Sequence, residues 1–283
     1  MLQIVFVAML VFTAFSQVKA QKTKDVGLQL YSLREILPGN VASVLKDVAA
    51  AGYTQVELYG FNSKDQFWGL DATALKALLA ESKLNAVSGH FNMTPYFKNG
   101  DETELHAAIA AAKTLGLKYV TIPWLDADVR TSGQDYYEVA KKLNRAGLLC
   151  KQAGLKLAYH NHDFEFIKYD GKTGLDILLQ NTNKKLVDFE MDMYWVIKSG
   201  VKPEDLFKQN RGRFTLWHIK DVDKSNPNLN TEIGSGSLDY KSIFRAKKIS
   251  GMKYFFVEHE NNYTPDHIGS ITKSSAYVKE NLL

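Results

Sequence analysis

The chain has 283 residues, of which 45% are apolar and 23% are charged. This length and apolar content are sufficient for a full hydrophobic core, in one large domain or in two smaller ones. The net charge of +4, from 35 basic and 31 acidic residues, is too small to predict a nucleic-acid partner. The single cysteine, Cys150, excludes a fold held together by internal disulfides.

The first twenty residues have the composition of an export signal. Residues 2–15 are almost entirely apolar, and Val18-Lys19-Ala20 places small residues where a signal peptidase cleaves. The apolar run is too short to span a bilayer comfortably. We therefore predict a signal peptide over residues 1–20 and an exported, periplasmic protein over residues 21–283. Because no lysine or arginine precedes the run, an uncleaved anchor and a buried first strand are the alternatives.

Downstream of the leader, amphipathic helices that end near a glycine alternate with apolar strands. The predicted strands are Val26–Tyr31, Gln55–Tyr59, Ala86–His90, Tyr119–Pro123, Lys156–His160, Val187–Asp192, Phe214–Ile219 and Tyr254–His259. The predicted helices are Val41–Ala51, Ala72–Ser82, Glu102–Leu115, Tyr136–Ala153, Gly174–Gln180, Pro203–Asn210, Tyr240–Ile249 and Ile268–Glu280, with Asn40, Asp71 and Asp101 as N-caps. This alternation predicts a parallel sheet closed into a single-domain (β/α)8 TIM barrel, with a doubly wound open sheet as the alternative.

Polar side chains gather where the predicted strands end, and in a barrel these ends converge on one rim. Five of the seven histidines lie at or just past strand ends, namely His90, His160, His162, His218 and His259. The carboxylates at the same ends are Glu57, Glu165, Glu190, Asp192, Asp221, Glu258 and Glu260. Nitrogen and oxygen ligands that arrive from strands five to eight suit one divalent cation, namely Mn²⁺, Co²⁺, Zn²⁺ or Mg²⁺.

Two strand ends carry pairs of polar residues that alternation places on one face. His160 and His162 are such a pair on the fifth strand, and a half-exposed pair without function is the alternative interpretation. On the seventh strand Lys220 follows His218 by two residues and would face the same cavity. There a lysine can hold an oxyanion or act as an acid.

The order of the strand-end motifs resembles the sugar phosphate isomerase/epimerase family, also described as xylose-isomerase-like or AP-endonuclease-2-like barrels. The motifs are Val56-Glu57-Leu58, Ser88-Gly89-His90, Tyr159-His160-Asn161-His162-Asp163-Phe164-Glu165-Phe166, Asp192-Met193-Tyr194-Trp195, Trp217-His218-Ile219-Lys220-Asp221, Gly234-Ser235-Gly236 and Val257-Glu258-His259-Glu260. The resemblance covers nearly all of the chain after the leader. The set in this order is specific, whereas any single motif is weak.

The resemblance implies one divalent metal ion, held by a carboxylate on strand five, an aspartate on strand six, a histidine on strand seven and a glutamate on strand eight. The last three correspond to Asp192, His218 and Glu258. Strand five departs from the family pattern, because His160 stands where many relatives have glutamate. The first ligand is therefore His160, His162 or Glu165, and a third carboxylate, Glu165, is the expected one.

The resemblance further implies a metal-dependent isomerase or epimerase that acts through an enediolate or enolate on a sugar, keto-sugar or glycoside. The expected catalytic residues are Glu165, Glu258, His160, His162 and Lys220. The expected substrate-binding residues are Glu57, His90, Trp124 and Trp195. A carbohydrate is the expected partner, and the sequence leaves the oligomeric state open.

Two other functions fit the same pattern. Expulsion of a leaving group from an enolate would make the protein a lyase or dehydratase acting on a keto-sugar or 3-keto-glycoside. A barrel without chemistry would be a sugar-binding protein, and the histidine at strand five permits this. DNA repair, which barrels of this fold also perform, is disfavoured by the small net charge and the leader.

Overall fold

The computed structural model describes residues 25–283, so the predicted signal peptide lies outside the described residues. The eight barrel strands, numbered here in chain order, are Gly27–Gln29, Gln55–Asn62, Asn85–Phe91, Tyr119–Ile122, Lys156–His160, Val187–Asp192, Phe214–Ile219 and Tyr254–Val257. Each strand pairs in parallel with its neighbours, and strand 1 pairs with both strand 2 and strand 8. The sheet is therefore closed, which confirms the predicted single-domain TIM barrel over the open sheet.

Helices connect the strands around the outside of the barrel. Their bounds are α1 Val41–Ala50, α2 Ala72–Glu81, α3 Thr94–Asn99, α4 Thr103–Leu115, α5 Gly133–Gln152, α6 Gly174–Asn181, α7 Met193–Lys198, α8 Pro203–Gln209, α9 Tyr240–Arg245, α10 Lys247–Ser250 and α11 His267–Asn281. The single helix predicted over residues 240–249 is thus two helices, and α3 and α7 are additions. Between residues 25 and 283 no helix is long and apolar enough to cross a membrane.

Of the three predicted N-caps, one caps its helix through its side chain and two do not. Asp71 accepts hydrogen bonds from the backbone of Thr73 and Ala74, as an N-cap should. Asn40 occupies the cap position of α1, but its side chain makes no capping bond and instead donates to the Ile36 carbonyl at 3.3 Å. Asp101 precedes the cap residue of α4 by one position, and its carboxylate instead holds a turn at Thr103.

The barrel interior is filled in layers that follow from strand alternation. At the lower level, a compact apolar cluster plugs the barrel and consists of Val87, Tyr119, Ala158, Leu216 and Phe256. Gly27 completes this level, because a Cβ there would lie 2.6 Å from the Phe256 ring. Two residues further along three of these strands, the same inward face carries His160, His218 and Glu258. The apolar plug therefore supports a polar layer directly above it.

Candidate active site

The polar layer is held together by a chain of hydrogen bonds that crosses the barrel. Glu57 Oε2 lies 2.6 Å from His218 Nε2 and also accepts a bond from Gln29 Nε2 at 2.7 Å. The other ring nitrogen of His218, Nδ1, lies 3.1 Å from Glu258 Oε2. Both nitrogens of one imidazole are thus fixed by carboxylates, and the ring orientation is determined.

Glu190 forms a second centre in the same layer. Its Oε2 lies 2.8 Å from His90 Nε2 and 3.1 Å from His160 Nδ1. His218 Nε2 is also close to this oxygen, at 3.3 Å. Glu190 therefore joins three imidazoles that come from strands 3, 5 and 7, and its side chain is buried.

Lys220 supplies the positive charge at the next level. Its Nζ lies 2.8 Å from Glu258 Oε2, 3.1 Å from Glu260 Oε1 and 3.3 Å from Asp192 Oδ2. The side chain is only 1% exposed, so these carboxylates compensate a charge that water does not reach. The backbone of Lys220 is fixed as well, because its N–H donates to the Tyr240 hydroxyl at 2.8 Å.

Two groups of side chains could hold a metal ion within residues 25–283. One is Asp192, His218 and Glu258, and the other is His90, His160, Glu190 and His218, with the ligand atoms of each group within 4.8 Å of one another. His160 Nε2 lies 3.9 Å from Asp192 Oδ2, so it adjoins the first group. Asp192 Oδ2 is buried and accepts no hydrogen bond, and it lies 3.3 Å from the Lys220 ammonium. A buried carboxylate oxygen that already faces a positive charge, beside imidazoles and a second carboxylate, fits a divalent cation with mixed nitrogen and oxygen ligands.

The protonation states follow from burial and from opposite charges. Burial alone would lower the pKa of His218, but Glu190 and Glu258 outweigh it and raise the pKa well above its ordinary value. Burial would raise the pKa of Glu258, but Lys220 and His218 hold it well below its ordinary range. Burial, with the positive charge of His218, lowers the pKa of His160 well below its usual value. His160 is therefore a neutral imidazole, the form that binds metals, whereas His218 would release a proton on binding a metal ion.

An open cleft of about 390 Å³ lies above the polar layer. Its lining consists of Tyr31, Tyr59, Gly60, Phe61, His90, Asn92, Pro123, Trp124, His160, His162, Glu258 and Glu260. Of the first metal-competent group, Glu258 alone lines the cleft, and His160, which adjoins that group, lines it as well. These two side chains are where the candidate metal ligands meet the open space.

His162 and Glu260 line the cleft from two different strands, His162 after strand 5 and Glu260 after strand 8. His162 Nδ1 is buried without a hydrogen-bond partner, and burial together with the charge of Lys220 lowers the pKa of this imidazole to about 3. Its ring stacks on Phe164 and meets Trp124 edge to face at 5.0 Å. Glu260, 29% exposed, is anchored by Lys220. Both side chains are positioned to contact a bound molecule.

The structure places Glu165 away from this cluster. One oxygen of its carboxylate accepts a hydrogen bond from the Tyr159 hydroxyl, and the other accepts one from the backbone of His162 at 2.8 Å. The short 3₁₀ helix Phe164–Phe166 turns the side chain back beside Tyr159, whose ring packs in the outer core. Glu165 belongs to neither metal-competent group. Its role as a ligand and catalytic residue therefore remains a prediction.

The other predicted residues divide between the cleft and the layer below. His90, Trp124, His160, His162 and Glu258 line the cleft. Glu57 lies below it, fully buried, and contacts histidines rather than the open space. Trp195 lies 5.7 Å from the His162 ring, and Lys220 lies behind Glu258. The contacts of Glu57 indicate that it positions His218, and its contact with substrate stays a prediction.

Three residues around the polar layer were not among the expected catalytic, substrate-binding or metal-binding residues. Glu190 and Glu260 were among the strand-end carboxylates, since alternation puts Glu190 on the strand face of Asp192 and Glu260 two residues after Glu258. Asn161, whose Oδ1 accepts a bond from Asp192 N at 3.3 Å, carried no signal, because that contact joins two strands.

Fold and site together define a TIM barrel with a candidate divalent-metal centre at the carboxyl ends of its strands. A model of the xylose isomerase-like TIM barrel family matches residues 45–280. The chain therefore belongs to the xylose isomerase-like TIM barrel family. Proteins similar to this chain include sugar phosphate isomerase/epimerases and inosose dehydratases.

Two solved structures illustrate the likeness in fold. A sugar phosphate isomerase/epimerase from Parabacteroides distasonis is 25% identical and has a TM-score of 0.81, with 92% of this chain and 95% of that chain covered. The IOLI protein, solved with a bound zinc atom, is 16% identical and has a TM-score of 0.71, with 90% and 98% covered. At 16% identity, the comparison with the IOLI protein establishes the fold only.

Curated relatives add a second activity class. An inosose dehydratase from Clostridium botulinum is 23% identical over 239 residues, which are 71% of this chain and 75% of that protein. Another from Clostridium perfringens is 24% identical over 176 residues, or 56% of this chain. The match spans 59% of the length of the Clostridium perfringens relative.

Proposed function

We propose that the protein is a divalent-metal-dependent enzyme that removes a proton from one carbon of a sugar or keto-sugar and returns a proton, either to the neighbouring carbon as an isomerase does or to the opposite face of the same carbon as an epimerase does. The observation that carries the proposal is that His162, after strand 5, and Glu260, after strand 8, line the same cleft as the metal-competent residues His160 and Glu258. Proton removal from carbon needs an acid–base group on the cleft wall, and a second group on another strand allows a proton to be returned from a different direction, as epimerisation requires.

The ion would be held by His160, Asp192, His218 and Glu258. This set keeps three of the ligands expected from the sequence and takes His160 for strand five, because the oxygens of Glu165 already accept two hydrogen bonds. The zinc atom of the IOLI protein supports the idea that this fold can hold such an ion. When bound, the metal would supply Lewis acidity that stabilises negative charge on the sugar oxygens.

The protein's own residues would handle the protons. His162 lines the cleft as a neutral imidazole, and its ring would take a proton from a carbon or oxygen of the sugar. Glu260, held by Lys220, would act from the strand 8 side of the cleft. In an isomerisation one C–H bond breaks and another forms on the neighbouring carbon, with a proton passing between the sugar oxygens, so that no oxidant is needed.

Dehydration is the second candidate, and the inosose dehydratase relatives favour it. The same proton removal would be followed by cleavage of a C–O bond on the neighbouring carbon, and water or an alcohol would leave with a proton from the acid. Glu260 and Lys220 would provide that proton on the strand 8 side of the cleft. The two outcomes differ in whether the substrate carries a leaving group beside the acidic carbon.

Proton exchange with solvent tests both outcomes in one experiment. The purified protein, loaded in turn with Mn²⁺, Co²⁺, Zn²⁺ or Mg²⁺, is incubated in D₂O with ketoses, an inosose and 3-keto-glycosides. We expect mass spectrometry and NMR to detect deuterium at a carbon, or loss of water or alcohol, with at least one substrate. His218→Ala should abolish the signal. No exchange with any substrate, or undiminished exchange in His218→Ala, would contradict the proposal.

A further inference from the structure

The cleft extends well beyond the candidate metal centre. Its lining runs from Tyr31, after strand 1, through strands 2 and 3 to Trp124 and His162, after strands 4 and 5. Of the proposed metal ligands, His160 and Glu258 alone line it. Most of the open space is therefore bounded by strands that supply no proposed ligand, and it is available to a part of the substrate that does not react.

An aromatic side chain stands at each end of the cleft. Tyr31 is 39% exposed and Trp124 is 40% exposed, which is unusual for large rings among residues 25–283. Strands 1 and 4 are three positions apart in a ring of eight, so the two side chains come from well-separated positions around the barrel mouth. Aromatic rings of this kind pack well against sugar and aromatic rings.

The wall at strands 1 and 2 is held in place by further rings. Tyr59 meets Tyr31 edge to face at 5.3 Å, and Trp68 supports Tyr59 at 5.1 Å. Gly60, with φ +76°, makes this possible, because a Cβ there would lie 3.0 Å from Trp68 Nε1. The Arg34 guanidinium lies 4.7 Å from the Tyr31 ring centre. A wall fixed in this way needs little ordering when a ligand binds.

A polar residue lies next to this wall. Glu260 lines the cleft, and its backbone carbonyl accepts a bond at 2.6 Å from Arg34, whose guanidinium also contacts the Tyr31 ring. The Tyr59 hydroxyl oxygen is buried, so Tyr59 offers the cleft its ring rather than this oxygen. Aromatic faces with a carboxylate nearby are suited to a second ring that carries hydroxyl groups.

We propose that the cleft binds a two-ring substrate, a glycoside rather than a free monosaccharide. The reacting sugar lies beside His162 and Trp124, the linkage passes Glu258 and Glu260, and the second ring, a sugar or aromatic aglycone, packs against Tyr31 and Tyr59. The inference rests on the proposed function for the position of the reacting sugar. It adds the class of substrate that the cleft selects.

Binding of model glycosides to the Zn²⁺-loaded protein tests this subsite by calorimetry. We expect phenyl β-D-glucopyranoside and cellobiose to bind roughly tenfold more tightly than methyl β-D-glucopyranoside, since a ring contact contributes on this scale. In Tyr31→Ala the ratio should fall to about one. Tyr31→Phe, which keeps the ring, should retain it, and so should Leu148→Ala, which truncates an equally exposed apolar side chain on α5.

Equal affinities for the one-ring and two-ring probes in the unaltered protein would overturn the inference, as would a ratio that Tyr31→Ala leaves unchanged. Failure of both two-ring probes to bind at millimolar concentration would overturn it too. Tyr31→Phe distinguishes loss of the ring from loss of folding. Because the readout is binding, an absence of turnover counts against the proposed function and a lost ratio counts against the subsite.

Discussion

Glu57 and His218 are hydrogen-bonded across the barrel at 2.6 Å, from strand 2 to strand 7. The contact engages Nε2 of the imidazole, so that Nδ1 faces Glu258 and the metal-competent group. A carboxylate that holds the far nitrogen of a metal-binding histidine fixes its tautomer and orientation. The relationship assigns Glu57 a positioning role beneath the site.

Removal of this carboxylate should weaken metal binding although every proposed ligand remains. We expect Glu57→Ala to lower the affinity for Zn²⁺ by about 10- to 100-fold in a competition titration with a chelating dye. Glu57→Gln keeps an acceptor oxygen and should lose less. Glu138→Ala, which removes an exposed carboxylate on α5, is the control and should bind like the unaltered protein. An unchanged affinity in Glu57→Ala would refute the positioning role.

Lys220 should be essential to the stability of the metal-free protein. Its loss leaves Asp192 and Glu258 buried without their cation, and breaking such a pair costs about 3–5 kcal/mol. We expect Lys220→Met to lower the free energy of unfolding in urea with EDTA by that amount. Lys198→Met removes an exposed lysine 4.9 Å from the Trp195 ring and should cost less than about 1 kcal/mol. Similar losses in both variants would show that burial of Lys220 is not the cause.

Glu165 should make stability depend on pH. Burial raises its pKa from 4.5 to about 7, although the Tyr159 hydroxyl opposes the shift. Between these values the unfolded chain is ionised while the folded protein keeps the proton, so stability falls as pH rises from about 4.5 to 7.

A neutral replacement should remove that contribution. Relative to the unaltered protein, we expect Glu165→Gln to gain roughly 3 kcal/mol between pH 4.5 and pH 8 in urea unfolding experiments. Glu138→Gln, at an exposed site on α5, should show no such gain. If the difference between Glu165→Gln and the unaltered protein is the same at both pH values, Glu165 does not titrate in this range.

The barrel could be predicted from the sequence because its signals are local. Glycines after the helices, as at Gly116, and alternation along each strand are readable without tertiary contacts. The same alternation placed His218 and Glu258 at the mouth, two residues beyond Leu216 and Phe256.

The rest of the site depends on contacts between distant strands. The bond between Glu57 and His218 follows from the offset of strands around the closed barrel, which no local pattern encodes. Strand five was the difficult position, because a 3₁₀ helix directs Glu165 back towards Tyr159 while His160 keeps the inward face. Both residues were candidate ligands in the sequence, and the turn of the chain after His160 leaves only His160 near the other candidate ligands.

Elemental analysis of the purified protein and two variants tests the central claim most directly. With His160, Asp192, His218 and Glu258 as ligands, we predict about one divalent ion per chain in the unaltered protein and in Glu165→Gln, and less than about a tenth of that in His160→Ala. Loss of the ion in Glu165→Gln with retention in His160→Ala would contradict the proposed ligand set, and a protein without bound metal after reconstitution would contradict the metal centre itself.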